Sequence, residues 1–214
     1  MQDYIKLFDA DYCESLIHRL DRLNLWRDGR DTTTGVFKAL KKSVEMDGEA
    51  RYTKQLTQEV AKTLAETDEI YRKVFVHSVN GILINKYETG GHYGGHYDSP
   101  EIGGTSHHYS FTIFLNDNYK GGELVVEGKT IKPKQGHIYI YKSNKFHSVN
   151  EVKNGTRYAM IGWMKSIYRE DHIRENVANT LAVRDFLLDE FGMNDEMYKK
   201  ADHTLRNLMR HFTQ

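Results

Sequence analysis

Three textures follow one another along the chain, distinguished by the spacing of their apolar positions. From Asp9 to Trp26, the residues Leu16, Ile17, Leu20 and Leu23 recur at helical spacing behind Asp9 or Asp11 as a helix-starting cap. A second helical stretch runs from about Gly48 to Ile70, with Tyr52, Leu56, Val60 and Leu64 on one stripe. Between them, Asp28 to Met46 is polar and rich in Gly and Thr, a long loop expected to cover a site. From Lys73 to about Lys165 the period drops to two. The runs 73–79, 82–87, 109–115, 123–126, 137–141 and 157–163 read as short strands, with Gly, Asn and Pro at the connections. After Ser166 the helical texture returns. Leu181, Val183, Phe186, Leu187 and Phe191 form one stripe, Gly192 reads as a C-cap, and a last helix is predicted from about Asp195 to Phe212. Many short strands without helices between them predict an antiparallel sandwich or barrel, and the helices on either side make the chain α+β. The expected organisation is a helical, lid-like support region over 1–72, a β core over 73–168 and C-terminal helices over 169–214.

Composition narrows the function classes. The 214 residues are 39% hydrophobic and 28% charged, enough to bury a core. Thirty Lys and Arg balance thirty Asp and Glu, so no net field steers the protein to nucleic acid or to an anionic membrane. No apolar run approaches the roughly 20 residues that span a bilayer. Cys13 is the only cysteine, which excludes an internal disulfide and a cysteine-based zinc site. The expectation is a soluble protein of the cytoplasm with no nucleic-acid or membrane partner.

The chemistry is concentrated in the β zone, at His96, Asp98 and His147. Residues two apart on a strand project from one face, roughly 6–7 Å apart, so the imidazole of His96 and the carboxylate of Asp98 can converge on one ion. His147, delivered by a later strand, completes two histidines and a carboxylate. That facial triad suits non-haem Fe(II) with open positions for a co-substrate and oxygen. Arg157 would be costly inside a small β core unless it met an anion, such as the free carboxylate of a dicarboxylate held at the metal. A two-residue hairpin loop at Asn154-Gly155 would turn Arg157 away from His147. A three-residue loop, with Gly155 in the left-handed region, would put both on one face, and this odd-length loop is the expected one.

The run Tyr87-Glu-Thr-Gly-Gly-His-Tyr-Gly-Gly-His-Tyr-Asp98 resembles the Y-x-x-G-x-x-Y-x-x-H-x-D signature of the prolyl-4-hydroxylase-like Fe(II)/2-oxoglutarate oxygenases. Phe114-Leu-Asn, Tyr119-Lys-Gly-Gly-Glu-Leu124, Gly136-His-Ile-Tyr-Ile-Tyr141, His147, Gly155-Thr-Arg157 and Trp163 continue in that family's order. Trp26-Arg-Asp-Gly-Arg-Asp-Thr-Thr-Thr-Gly35 is similar, with one residue inserted, to the start of the bacterial PKHD-type hydroxylases. Trp163-Met-Lys-Ser-Ile-Tyr-Arg-Glu-Asp171 matches the exit of that group. The resemblance spans roughly residues 24 to 175.

The resemblance implies a double-stranded β-helix (jelly roll) holding Fe(II) through His96, Asp98 and His147. It implies 2-oxoglutarate with its distal carboxylate on Arg157 and a contact from Tyr87. Phe114 stands where some relatives carry a tyrosine hydroxyl, so Thr112, two residues back on the same face, is the expected substitute donor. Tyr93 and Trp163 are expected to line the substrate path. The implied reaction is hydroxylation of an unactivated C–H bond with O2, releasing succinate and CO2, with ascorbate as an accessory reductant. The implied partner is a peptide, protein or small-molecule substrate, a prolyl-type side chain by analogy. Asp98 favours hydroxylation over halogenation, since halogenating relatives lack that carboxylate. Trp163 stands where nucleic-acid demethylases of the superfamily carry a second arginine.

The alternative is a jelly-roll binding module or a non-redox cupin-like metal protein, which has no need of a complete triad together with Arg157. His107 and His108 are adjacent, point to opposite faces of a strand and cannot chelate jointly. Tyr139 and Tyr141 read as inward aromatic packing. The charged runs Lys38–Lys42 and Arg169–Arg174 read as solvated faces.

Overall fold

The computed structural model describes residues 4–33 and 35–213. Thr34, inside the segment expected to cover the site, lies outside the described residues. The helix Ala10–Leu23 starts behind Asp9, buries Cys13, Leu16 and Leu20, and stops at Asn24 in the left-handed conformation. The second helical stretch is two helices rather than one, Arg51–Glu66 and Asp68–Val74, joined at the extended Thr67. Leu56, Val60 and Leu64 form the buried stripe of the first. The strand expected from Lys73 begins only at Val76, because Lys73 and Val74 close the second helix and Phe75 turns left-handed after it.

Two sheets form the core. The larger has seven strands in the order Tyr4–Lys6, His137–Lys142, Tyr109–Phe114, Arg157–Ser166, Val76–Tyr87, Val44–Met46 and Trp26–Asp28. The smaller has five, in the order Lys129–Ile131, Leu124–Val126, His147–Val149, His92–His96 and Lys41–Lys42. The two strands predicted over 73–79 and 82–87 are one, running through Gly81. A side chain there would meet the Trp163 ring at 2.9 Å, so glycine lets the strand pass over that indole.

Alternation along the strands separates two packing environments. On Arg157–Ser166, the side chains of Tyr158, Met160 and Met164 join Leu16, Leu20, Leu56, Val60 and Ile84 in the core beneath the helices. Arg157, Ile161 and Trp163 instead face a cavity in the β core. A second cluster, including Tyr87, Phe114, Leu124, Ile131, Tyr141 and Val149, packs within that β core.

The expected hairpin between His147 and Arg157 does not form. The intervening Val152–Asn154 pairs with Lys120–Gly121, and the two functional strands enter different sheets. Gly155 does adopt the left-handed conformation, φ 84°.

The helices Asp171–Phe191 and Glu196–Phe212 pack through Ile173, Val177 and Leu205 onto Phe75 and Tyr168. The predicted stripe on the first of these is buried only in part: Leu181 packs against this cluster, whereas Val183, Phe186 and Phe191 are exposed. Gly192 caps the first as expected, and the last helix begins where predicted, with Asp195 as its N-cap accepting from the backbone of Met197 and Tyr198. No helix among the described residues is long and apolar enough to cross a membrane.

Candidate metal centre

The strands His92–His96 and His147–Val149 are antiparallel neighbours, and His96 and His147 are register partners. Their ring centroids lie 4.3 Å apart. His96 is the last residue of its strand. The chain continues so that Tyr97 is exposed and Asp98 turns back inward, with its side chain only 8% exposed. One donor atom from each of His96, Asp98 and His147 lies within 4.8 Å of the others. His147 Nε2 is 3.7 Å from Asp98 Oδ1.

Each member is oriented from behind. The Nδ1 of His96 donates to the carbonyl of Gly94 at 2.8 Å, and that of His147 to the carbonyl of Lys145 at 3.0 Å. Both Nε2 lone pairs are thereby left for an ion. Burial, reinforced by His147, pushes His96 down to about 4, so its ring is neutral at physiological pH. Ser110 Oγ donates to Asp98 Oδ2 at 2.6 Å and lies 2.9 Å from Ser143 Oγ. Two imidazoles held by their Nδ1 hydrogen bonds and one anchored carboxylate are a donor set suited to a divalent iron ion.

The same cavity, of about 410 Å³, is lined by Arg157. Its side chain is buried, and none of its three guanidinium nitrogens meets a hydrogen-bond partner. Instead the guanidinium carbon stands 5.1 Å from the centre of the Tyr87 ring and 5.3 Å from that of Phe114. A buried cation set against aromatic rings, with no carboxylate paired to it among the described residues, is a strong attractor for an anion. The donor set and this orphaned guanidinium together fit Fe(II) and a dicarboxylate.

Tyr87, Tyr93, Thr112 and Trp163 all line the cavity alongside the triad and Arg157. Burial raises the phenols of Tyr87 and Tyr93 to about 12, so both remain neutral hydroxyls. Tyr93 stacks on His96 at 3.9 Å. The indole Nε1 of Trp163 is buried without a partner. From the segment 28–46, Thr32, Thr33, Phe37 and Lys41 line the same cavity, and Phe37 stands 6.4 Å from the His96 ring. That segment is not a structureless loop. It carries the 3-10 helices Gly29–Thr32 and Gly35–Leu40 and the strands Lys41–Lys42 and Val44–Met46. Sequence reasoning missed Ser110, and it missed the position of Tyr141, which packs inward as expected but beside His147, at 5.2 Å.

Two charged runs are not wholly solvated. Lys41 is buried while Lys38 and Lys42 on either side of it are exposed. Arg174 is also buried, donating to the carbonyls of Tyr168 and Arg169 and pairing with Asp171.

Residues 82–165 match the family model described as the 2OG-Fe(II) oxygenase superfamily. The chain is 32% identical to a PKHD-type hydroxylase of Prochlorococcus marinus, over 95% of this chain and 96% of the relative. It is also 32% identical to a PKHD-type hydroxylase of Rippkaea orientalis, over 86% of each. Among solved structures, a Pseudomonas putida prolyl-4-hydroxylase superposes with a TM-score of 0.54 at 17% identity, covering 77% of this chain and 92% of that one. A Trichoplax adhaerens prolyl hydroxylase, solved with a peptide fragment of hypoxia inducible factor, gives a TM-score of 0.55 at 18% identity, covering 76% and 82%. These neighbours share the jelly-roll fold of the β core described above.

Proposed function

This chain belongs to the PKHD-type hydroxylases of the 2OG-Fe(II) oxygenase superfamily, and we propose that it hydroxylates an unactivated C–H bond of a peptide or protein prolyl-type side chain, releasing succinate and CO2. It is a dioxygenase dependent on Fe(II), 2-oxoglutarate and O2. The observation that carries the finer reading is Arg157, a buried and unpartnered guanidinium in the same cavity as a complete His-Asp-His set.

In this reading His96, Asp98 and His147 hold the iron, each ring fixed by its Nδ1 hydrogen bond and the carboxylate by Ser110. Arg157 pairs with the distal carboxylate of 2-oxoglutarate, a charge-assisted contact in a site shielded from water. Tyr87 sets its ring against that arginine, and Thr112, opposite Ile161 on the neighbouring strand, opens a hydroxyl onto the same cavity. Phe114 supplies only its ring face. When bound, Fe(II) and 2-oxoglutarate supply the oxidising power for attack on the C–H bond. The protein's part is to bind, orient and exclude water, and no acid–base pair is required. Tyr93 and Trp163 line the path to the target carbon, with Trp163 Nε1 free to donate to a substrate carbonyl.

A prolyl target is supported by the two solved neighbours, both prolyl hydroxylases and one with a peptide bound. The test is incubation of the protein with Fe(II), 2-oxoglutarate, O2 and a proteome, followed by a search for peptides heavier by one oxygen atom. Hydroxylated prolines appearing with succinate are the expected result. Succinate with oxygen only on other residues would overturn the prolyl assignment, and no succinate would overturn the reaction.

A further inference from the structure

Lys41 and Glu45 form an ion pair with side chains only 3% and 4% exposed, at the wall of the cavity. Lys41 belongs to the five-stranded sheet, where it is the register partner of Tyr93. Glu45 belongs to the seven-stranded sheet, opposite Arg27 and Asn85. The chain passes from one sheet to the other at Ser43, and the pair ties the sheets together across that step. Thr32 joins the cluster: its Oγ1 donates to Glu45 Oε2 at 2.7 Å and accepts from Lys41 Nζ at 3.3 Å. The ammonium also lies 5.1 Å from the centre of the Tyr93 ring, and that ring stacks on His96 with an interplanar angle of 25°.

Stability does not account for this arrangement. Replacing a buried ion pair by apolar side chains of similar size is often neutral or stabilising, whereas the pair fixes a geometry that apolar contacts leave free. We propose that Lys41 and Glu45 are positioning residues for the metal site. Their pair holds Tyr93 against His96, sets the angle of that imidazole and keeps Thr32 and its 3-10 turn at the cavity wall. The proposal rests on His96 being an iron ligand.

The experiment compares wild type with the double variant Lys41→Met/Glu45→Met, with Lys41→Arg and with Glu45→Gln. The readouts are the Tm of the metal-free protein, the Fe(II) affinity, and the visible band formed anaerobically with Fe(II) and 2-oxoglutarate. The double variant is expected to keep a Tm near wild type, to lose about tenfold in Fe(II) affinity, as removal of a group that orients a metal ligand commonly does, and to show a shifted band. Lys41→Arg, which keeps the charge pair, should recover most of the affinity. If the double variant does not fold, Glu45→Gln carries the test, since it keeps the shape and removes only the charge. Wild-type affinity and an unchanged band in the folded variant would overturn the proposal alone. A wild-type protein that forms no band would remove the iron reading, and this proposal with it.

Discussion

His96 and His147 sit directly opposite each other on neighbouring antiparallel strands, far apart in sequence, with their ring centroids 4.3 Å apart. One cross-strand pair thus places two of the three residues proposed to hold the metal, and its spacing is set by backbone hydrogen bonding instead of by loops. Replacing His147 with alanine should abolish stoichiometric Fe(II) binding and succinate formation. The metal-free Tm should change little, because the lost side chain donates one hydrogen bond, to Lys145. Metal analysis and calorimetry check this. Full iron loading in the variant would mean that another residue is the third ligand.

Arg157 has the unusual property of being buried without a hydrogen-bond partner. Arg157→Met should therefore leave the metal-free protein at least as stable as wild type, while the KM for 2-oxoglutarate rises about 10- to 100-fold. That range corresponds to the roughly 1.5–3 kcal/mol of a hydrogen bond to a charged group. Arg157→Lys should recover part of the loss, since the charge returns without the planar fork. An unchanged KM in the methionine variant would show that the co-substrate binds elsewhere.

Ser110 anchors Asp98 from the neighbouring sheet. Ser110→Ala should weaken Fe(II) affinity by about tenfold at nearly unchanged KM for 2-oxoglutarate, because the carboxylate loses its orienting donor. Isothermal titration with Fe(II) under argon distinguishes this from a rise in KM alone, which would place the serine's role on the co-substrate.

Phe37 stands at the cavity beside His96, although 39% exposed. Phe37→Ala should lower substrate-coupled turnover several-fold and leave Fe(II) and 2-oxoglutarate binding near wild type, as expected of a residue that covers a site without ligating in it. Equal losses in coupled turnover and co-substrate binding would show that the segment shapes the metal site itself.

The parts of the site that were legible in the sequence are those written locally. The His96-x-Asp98 spacing, the glycines before it and Gly155-Thr-Arg157 are short-range patterns, and the structure brings His96, Asp98 and Arg157 to one cavity. The relation between His147 and Arg157 was not legible as a hairpin, because Val152–Asn154 pairs with a distant strand and sends the chain into the other sheet. Lys41 was misread for a related reason. Inside the run Lys38–Lys42 it has the look of a solvated lysine, and only its pairing with Glu45 across two sheets explains its burial. On the helix Asp171–Phe191 the apolar stripe was visible, but periodicity does not say which face a neighbour covers, and Val183, Phe186 and Phe191 remain exposed.

One cavity is proposed to bind Fe(II) and 2-oxoglutarate together, with the triad at one end and Arg157 at the other. Anaerobic titration of the Fe(II)-loaded protein with 2-oxoglutarate, followed by visible absorption, tests it directly. A weak charge-transfer band should rise and saturate at one 2-oxoglutarate per chain, should vanish in His147→Ala, and should need far more co-substrate in Arg157→Met. No band in the wild type, or a band unaffected by both substitutions, would show that Fe(II) and 2-oxoglutarate do not meet in this cavity.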